Sequence, residues 1–277
     1  MRRPGNLALY VIGAIVFLWT VIPIYHLFII ALAPGQEAVA SGLVPKNPTV
    51  QNFGIVLGAK HNLVQYFWQQ LGASVFIAVM VSLITLAIGA CANFAITRLR
   101  IRGGRTITNI ALLTYLIPAA FLAIPMYKIM GIYRLVDSPW SLIFAMVALA
   151  SPYAIWVMNQ ASQKIPRELD EAAKVDGATT LQIFRLVYLP LMAPTMVAIG
   201  TYALLLAWNE YLYAFLMLAT ESRLTLAVAL GNFLAFDDAP WALLMATGII
   251  YALPPTAIYY AFRRYMVSGL TAGAVKS

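Results

Sequence analysis

Residues 7–33 of this sequence form a run of 27 residues without a lysine, arginine, aspartate or glutamate. A helix needs about 20 apolar residues to cross a bilayer core, so this run is long enough for a tilted membrane span. Further apolar runs follow it, and only 10% of all residues are charged, against about 25% in soluble domains. The sequence therefore predicts an all-α integral membrane protein.

The apolar runs predict six transmembrane helices in a single transmembrane domain of residues 1–277. The expected spans cover residues 7–33, 71–96, 107–127, 140–158, 191–219 and 241–262. Pro118 and Pro125 interrupt the third span. In the second span, small residues recur every three or four positions, which predicts close contact with a neighbouring helix. These small residues are Ala78, Ser82, Thr85, Gly89 and Ala92.

The basic residues fix the expected orientation. With the N-terminus in the cytosol, 13 of the 18 lysines and arginines fall in cytosolic segments, including four arginines between residues 98 and 105. This bias follows the positive-inside rule and places both termini in the cytosol. Binding of anionic lipid is a second interpretation of the four arginines. The net charge of +8 is thereby accounted for without a nucleic-acid partner.

The longest charged segment lies in the expected cytosolic loop of residues 159–190. Pro166 suits the first turn of a short helix, where Glu168 and its acidic neighbours favour the helix dipole. Asp176 and Gly177 supply the turn chemistry that ends such a helix. Thr179 or Thr180 can cap a second helix, expected over residues 181–189. The loop is therefore predicted to be a helix pair exposed to another protein.

This loop resembles the coupling loop of permease subunits of ATP-binding-cassette (ABC) importers of type I. The family pattern is matched by Glu171-Ala172-Ala173, by Gly177 and by Leu189-Pro190, while Val187 stands where isoleucine is usual. The downstream Phe184 and the ending at residues 269–276 look like the carbohydrate-uptake, maltose-permease-like branch. The resemblance covers the whole chain in span order.

The resemblance implies an assembly in a bacterial or archaeal inner membrane. Its partners would be two ATPase subunits, a second homologous permease and an extracytoplasmic sugar-binding protein. ATP and magnesium would bind the ATPase, and no cofactor is expected on this chain. The residues expected to couple to the ATPase are Glu168, Asp170, Glu171, Ala172, Ala173, Asp176, Gly177 and Ala178. A cytosolic tail, residues 263–277, is expected to contact the ATPase through Gly269, Leu270, Thr271 and Gly273.

Several kinds of chemistry lack a sequence signal. There is no phosphate-binding Gly-x-x-x-x-Gly-Lys-Ser/Thr loop, and two histidines and one cysteine do not cluster as metal ligands. We expect a transport subunit, not an enzyme, with its energy supplied by a partner. A self-sufficient secondary transporter is the alternative class. Polyols, glycerol phosphates and other organic solutes are alternative substrates to a sugar.

Three polar or amphipathic residues stand together in the expected fifth span. Trp208-Asn209-Glu210 resembles a triplet of carbohydrate-uptake permeases and is expected in the outer half of that span. A carboxylate in hydrocarbon is costly, so these residues should face the bundle interior or water. Two roles remain open: hydrogen bonds that fix helix packing, or a place at the gate or translocation path.

Overall fold

The described part of the chain is built from helices. The computed structural model describes residues 5–35, 42–44, 47–235 and 238–271, and these contain no strand. The predicted all-α fold is confirmed. In chain order the helices are α1 (Gly5–Leu32), α2 (Gln51–Leu57), α3 (Phe67–Thr97), α4 (Gly104–Thr114), α5 (Ala119–Ile132), α6 (Pro139–Ser162), α7 (Glu168–Val175), α8 (Thr180–Gln182), α9 (Leu189–Trp208), α10 (Leu212–Met217), α11 (Leu226–Asn232) and α12 (Trp241–Thr271).

The described residues contain five helices that are long and apolar enough to cross a membrane. A sixth span is obtained when α4 and α5 are counted together, since they are apolar but meet at a bend of 102°. The bend falls at Pro118, which cannot donate a backbone hydrogen bond and disfavours helical geometry in the residue before it. Pro125 lies inside α5 without ending it. Only one of the two prolines therefore breaks the third span.

One predicted boundary is wrong. The fifth span was expected to reach residue 219, but α9 ends at Trp208 and a separate short helix, α10, follows. Hydropathy does not register this break because both helices are apolar. The sixth span was expected over residues 241–262, and the apolar candidate span is Trp241–Arg263, but α12 itself continues beyond it to Thr271. Arginine is a good helix former, so the charges at residues 263 and 264 do not end the helix.

Part of the expected C-terminal tail belongs to helix α12. Gly269, Leu270 and Thr271 are the last residues of that helix and do not form a separate segment. Gly273 lies outside the described residues.

The chain divides into two compact units. The first consists of residues 1–68 and 229–253, and the second of residues 69–228 and 254–277. In the first unit, the buried side chain of Asn52 donates to the carbonyls of Ala31 and Ala33, at 2.8 and 3.0 Å. These carbonyls at the end of α1 have no partner in a continuing helix, so Asn52 stabilises the junction of α1 and α2.

In the second unit, α6 packs against α4 and α9. The small residues of α3 permit close packing in this unit. The hydroxyl of Ser82 donates to the carbonyl of Gly200 in α9 at 2.9 Å. A Cβ atom on Gly89 would lie 2.9 Å from the Met158 sulfur, which leaves no room for a larger residue without a shift. The predicted helix contact of α3 is thus confirmed.

Candidate functional site

Helix α7 forms where the charged segment predicts it. Its first turn carries Glu168, Asp170 and Glu171, and its last turn carries Lys174. Acids near the N-terminus and a base near the C-terminus both interact favourably with the helix dipole.

Gly177 ends this helix in the predicted way. Its φ of +83° lies in the left-handed region that favours glycine. The Gly177 N–H donates to the Lys174 carbonyl at 3.0 Å, and the Ala178 N–H donates to the Ala173 carbonyl at 2.9 Å. These two bonds form a Schellman motif, which satisfies carbonyls that the helix end leaves open.

Thr179 caps the next helix. Its hydroxyl accepts from the Gln182 N–H at 3.3 Å, and the Gln182 side chain accepts from the Thr179 N–H at 2.7 Å, so the two form a capping box. Residues 181–189, where a second helix was expected to run into the next span, are helical throughout. The part that was not predicted is its geometry, since α8 passes through a π-helix, Ile183–Tyr188, directly into α9. The second half of the coupling loop is therefore continuous with the fifth span.

The expected coupling residues divide into an outer and an inner set. The outer set is exposed and consists of Glu168, Glu171, Ala172, Asp176 and Gly177. The inner set points into the chain: Asp170 is buried, and Ala173 and Ala178 pack against a hydrophobic core in the second unit. The outer set is therefore the part most exposed to a partner.

Asp170 is held by Arg98, at the end of α3. The Arg98 Nη1 lies 3.2 Å from the Asp170 Oδ2, and only 5% and 11% of the two side chains are exposed. Arg98 also donates to the Ile165 carbonyl at 3.4 Å and lies over the Tyr188 ring, 5.9 Å from its centre. From the sequence, Arg98 was interpreted only as part of the four-arginine segment, as an orientation signal or a site for anionic lipid. No local pattern indicates this pair, because its members are far apart in the chain.

An aromatic cluster stands beside this ion pair. Phe94 of α3 contacts Phe184 and Tyr188 of the π-helix, with ring centres 5.0 and 5.2 Å apart. The same hydrophobic core contacts Ala173 of α7. Helix α7, α3 and the start of the fifth span therefore share one packed core.

The triplet 208–210 marks the end of α9. Trp208 is buried, whereas Asn209 is exposed and donates to the Leu205 carbonyl of its own helix at 2.9 Å. The Glu210 Oε1 accepts from the Tyr213 N–H at 2.8 Å, which caps the short helix α10. These hydrogen bonds of the Asn209 and Glu210 side chains are local, rather than bonds to another span.

Glu210 also lines a cavity of ≈ 280 Å³ beside the broken third span. Tyr115, at the break, and Tyr202 of α9 line the same cavity, and their hydroxyls are hydrogen-bonded to each other. The ring of Tyr153 from α6 contacts both, with ring centres 5.7 and 4.6 Å away. This tyrosine cluster was not predicted, because aromatic residues are too frequent in the chain to single it out.

Asp137 joins two loops outside the membrane-spanning helices. Its carboxylate accepts from the N–H groups of Ala219 and Thr220, both at 2.9 Å, and from the Thr220 hydroxyl at 2.6 Å. Arg223 lies 3.1 Å from the same carboxylate. These hydrogen bonds, that of the Thr220 hydroxyl above all, together with the Arg223 charge lower the Asp137 pKa to about 2.

We expect the contribution of Asp137 to stability to depend on pH. Since the pKa is lower in the folded chain than its unfolded value of about 3.9, the contribution is present above pH 4 and is lost as pH falls towards 2. The substitution Asp137→Asn keeps a side chain that tolerates the left-handed backbone, φ +60°, but removes the charge. The melting temperatures of wild type and Asp137→Asn should therefore differ at pH 6 and converge near pH 2. A difference that is constant with pH would contradict this assignment.

In the described chain, no group of three or more histidine, cysteine, aspartate or glutamate side chains is arranged to hold a metal ion.

The long apolar helices and the charged helix pair between two of them define a polytopic membrane protein. The chain belongs to the family described as binding-protein-dependent transport system inner membrane component, whose model matches residues 87–271. It is thus an inner-membrane transport subunit and not an enzyme, and the expected permease family is confirmed.

Several proteins of known name are similar to it. The trehalose transport system permease protein SugB of Mycobacterium tuberculosis is 32% identical over 269 residues, covering 96% of each chain. The inner membrane ABC transporter permease protein YcjP of Escherichia coli is 28% identical over 278 residues, covering 99% of this chain and 98% of that protein. A chain of a bacterial ABC transporter that imports the acidic polysaccharide alginate has a TM-score of 0.78 at 24% identity. The match covers 96% of this chain and 99% of that chain, and it supports the fold.

Proposed function

We propose that this chain forms half of the translocation pathway of an ATP-driven, binding-protein-dependent sugar importer. Two ATPase subunits, a second permease and an extracytoplasmic binding protein would complete the assembly. ATP and magnesium would bind the ATPase subunits. The observation that carries the proposal is the exposed outer set on α7, in a chain of this transport family.

The outer set suits a docking surface. Glu168 and Glu171 offer exposed charge, and Ala172 beside them leaves a partner backbone room to approach. The inner set then connects α7 to the spans through the Arg98–Asp170 pair and the Ala173 contact. A displacement of α7 by the ATPase would be passed to α3 and to the π-helix that leads into α9. In this mechanism, the spans would rock between inward-open and outward-open states.

The Arg98–Asp170 pair also supports the expected orientation of the chain in the membrane. Arg98 begins the segment with four arginines, and its contact with Asp170 places that segment beside α7. Both loops therefore lie at one end of the spans. The excess of basic residues there favours the cytosolic side for this end and for both termini.

The sugar assignment is supported by relatives and by the tyrosine cluster. Besides the trehalose permease protein, a trehalose/maltose transport system permease protein of Thermococcus litoralis is 29% identical over 270 residues. The cavity beside Tyr115 and Tyr202 combines aromatic faces with hydroxyl groups and the Glu210 carboxylate. Apolar walls with a few polar groups are typical of sites for small organic ligands.

Substrate uptake into proteoliposomes tests the sugar assignment. The assembled importer, with its binding protein, would be offered labelled trehalose, maltose, a polyol and glycerol 3-phosphate. The proposal predicts uptake of a disaccharide in preference to the other two solutes. Preferred uptake of the polyol or of glycerol 3-phosphate would favour the alternative substrate while keeping the importer class.

We expect Glu210 to act mainly by positioning α10. Glu210→Gln retains an oxygen that can accept from Tyr213 and should transport within about twofold of wild type, whereas Glu210→Leu removes the cap. Loss of a helix cap costs about 1 kcal/mol, so the leucine variant should lower the melting temperature as well as uptake. Equal and severe loss of uptake in both variants, without loss of stability, would instead indicate that the carboxylate contacts the solute.

A further inference from the structure

A large polar cavity lies beside the start of α7. Its volume is ≈ 880 Å³, and the end of α3, the start of α4, the end of α6 and the segment leading into α7 form its walls. Cavities of about 300–1,000 Å³ are typical of small-ligand sites. The cavity lies entirely within the second unit and is separate from the tyrosine cluster.

Three arginines line this cavity: Arg98, Arg105 and Arg167. Arg98 is paired with Asp170, but Arg105 and Arg167 have no ion pair among the described residues. Glu168 is the acidic residue on the wall, so two arginines that lack carboxylate partners face one carboxylate. The cavity therefore favours an anionic ligand.

Arg98 is the buried arginine of this cavity wall. Its side chain is 5% exposed, and its Nε has no hydrogen-bond partner within the described chain. A buried donor without a partner costs about 1–3 kcal/mol, and more when the group is charged. Because the Nε is itself buried, a ligand in the cavity does not reach it, and Arg98 contributes its charge rather than a hydrogen bond.

Neutral polar groups complete the lining. The buried Asn159 accepts from Gln163 through its side-chain oxygen, at 2.6 Å. Asn159 lines the cavity as well. The Gln160 side chain lines the same cavity. Amide groups of this kind suit the hydroxyl groups of a ligand.

We propose that this cavity binds a phosphate ester that carries hydroxyl groups. Arg105 and Arg167 would hold the phosphate, since guanidinium groups match phosphate oxygens in charge and geometry. Arg98 would contribute its charge, and the amides would contact the hydroxyls. Phosphatidylglycerol from the membrane and soluble glycerol phosphate share this chemistry. Because Arg167 precedes α7 and Arg98 holds it, a bound ligand would fix the position of α7.

Lipid retention tests the site in the full chain alone, so its outcome does not depend on which solute is transported. The chain would be placed in nanodiscs of phosphatidylcholine and phosphatidylglycerol, and retained lipids would be measured by native mass spectrometry. Arg105→Gln/Arg167→Gln should lower phosphatidylglycerol retention by about tenfold or more, since two charge-assisted contacts are lost. The matched control is Arg100→Gln/Arg102→Gln, which removes two exposed arginines of the same loop that do not line the cavity. It should retain phosphatidylglycerol like the wild type.

The source of the phosphate is tested with glycerol 3-phosphate in nanodiscs of phosphatidylcholine alone. If glycerol 3-phosphate binds and Arg105→Gln/Arg167→Gln abolishes this binding, the site belongs to the soluble ester. If phosphatidylglycerol is retained but glycerol 3-phosphate does not bind, the site belongs to the lipid. Equal losses in both double variants would indicate diffuse surface charge and overturn the proposal. So would the absence of preferential phosphatidylglycerol retention together with no glycerol 3-phosphate binding.

Discussion

An Ala172→Asp chain is expected to fold normally but to lose its ATPase partner and ATP-driven uptake. Ala172 is exposed on α7 beside Glu168 and Glu171, so the substitution places a charge and added bulk at the proposed docking surface. A residue at the centre of a protein interface often contributes about 2–4 kcal/mol, which corresponds to roughly 30-fold to 1,000-fold in affinity. Co-purification of the ATPase and uptake in proteoliposomes measure this loss.

Ala173→Asp is the matched comparison, one position further along the same helix. Ala173 packs against the hydrophobic core of its own chain, so its aspartate variant should lower the melting temperature of the permease itself. Gly177→Asp is less informative, because at φ +83° it strains the backbone and adds charge at once. If Ala172→Asp retains the ATPase and transports like the wild type, α7 is not the docking element.

The second large effect is expected at the Arg98–Asp170 pair. Removing one member of a buried ion pair costs about 3–5 kcal/mol, because the other charge stays buried without a partner. Arg98→Met and Asp170→Leu should each lower the melting temperature strongly, and the combined variant should recover most of this loss. We expect the combined variant to hydrolyse ATP with little uptake, since the connection between α7 and α3 is missing. Thermal unfolding and paired ATPase and uptake assays measure both effects.

Arg223→Met is the control for this pair. Arg223 also pairs with an aspartate, Asp137, but 56% of its side chain is exposed. Exposed pairs contribute about 0–1 kcal/mol, so this variant should change the melting temperature little. Similar losses for Arg98→Met and Arg223→Met would show that burial of the Arg98 pair is not decisive. Full coupling in the Arg98→Met/Asp170→Leu chain would show that the pair does not transmit the movement.

The parts of the coupling loop that depend on neighbouring residues could be predicted from the sequence. The acids of the first turn of α7, the Gly177 turn and the Thr179 cap each form within a few residues of chain. Their local chemistry is enough to place them.

The contacts between distant segments could not be predicted in the same way. The sequence treated all eight coupling residues as one exposed surface, whereas Asp170, Ala173 and Ala178 point inward. That direction is set by Arg98 and Phe94, which lie more than 70 residues earlier in the chain. The end of α9 was missed for a different reason, since an apolar segment continues across the break at Asn209.

Energy dependence of uptake tests the central claim most directly. The purified chain would be reconstituted with its ATPase, second permease and binding protein, and solute uptake would be followed with ATP, with a non-hydrolysable ATP analogue, or with an ion gradient alone. An ATP-driven importer predicts uptake only with hydrolysable ATP, and loss of that uptake in the Ala172→Asp chain. Uptake driven by an ion gradient in the absence of the ATPase would contradict the account and indicate a secondary transporter.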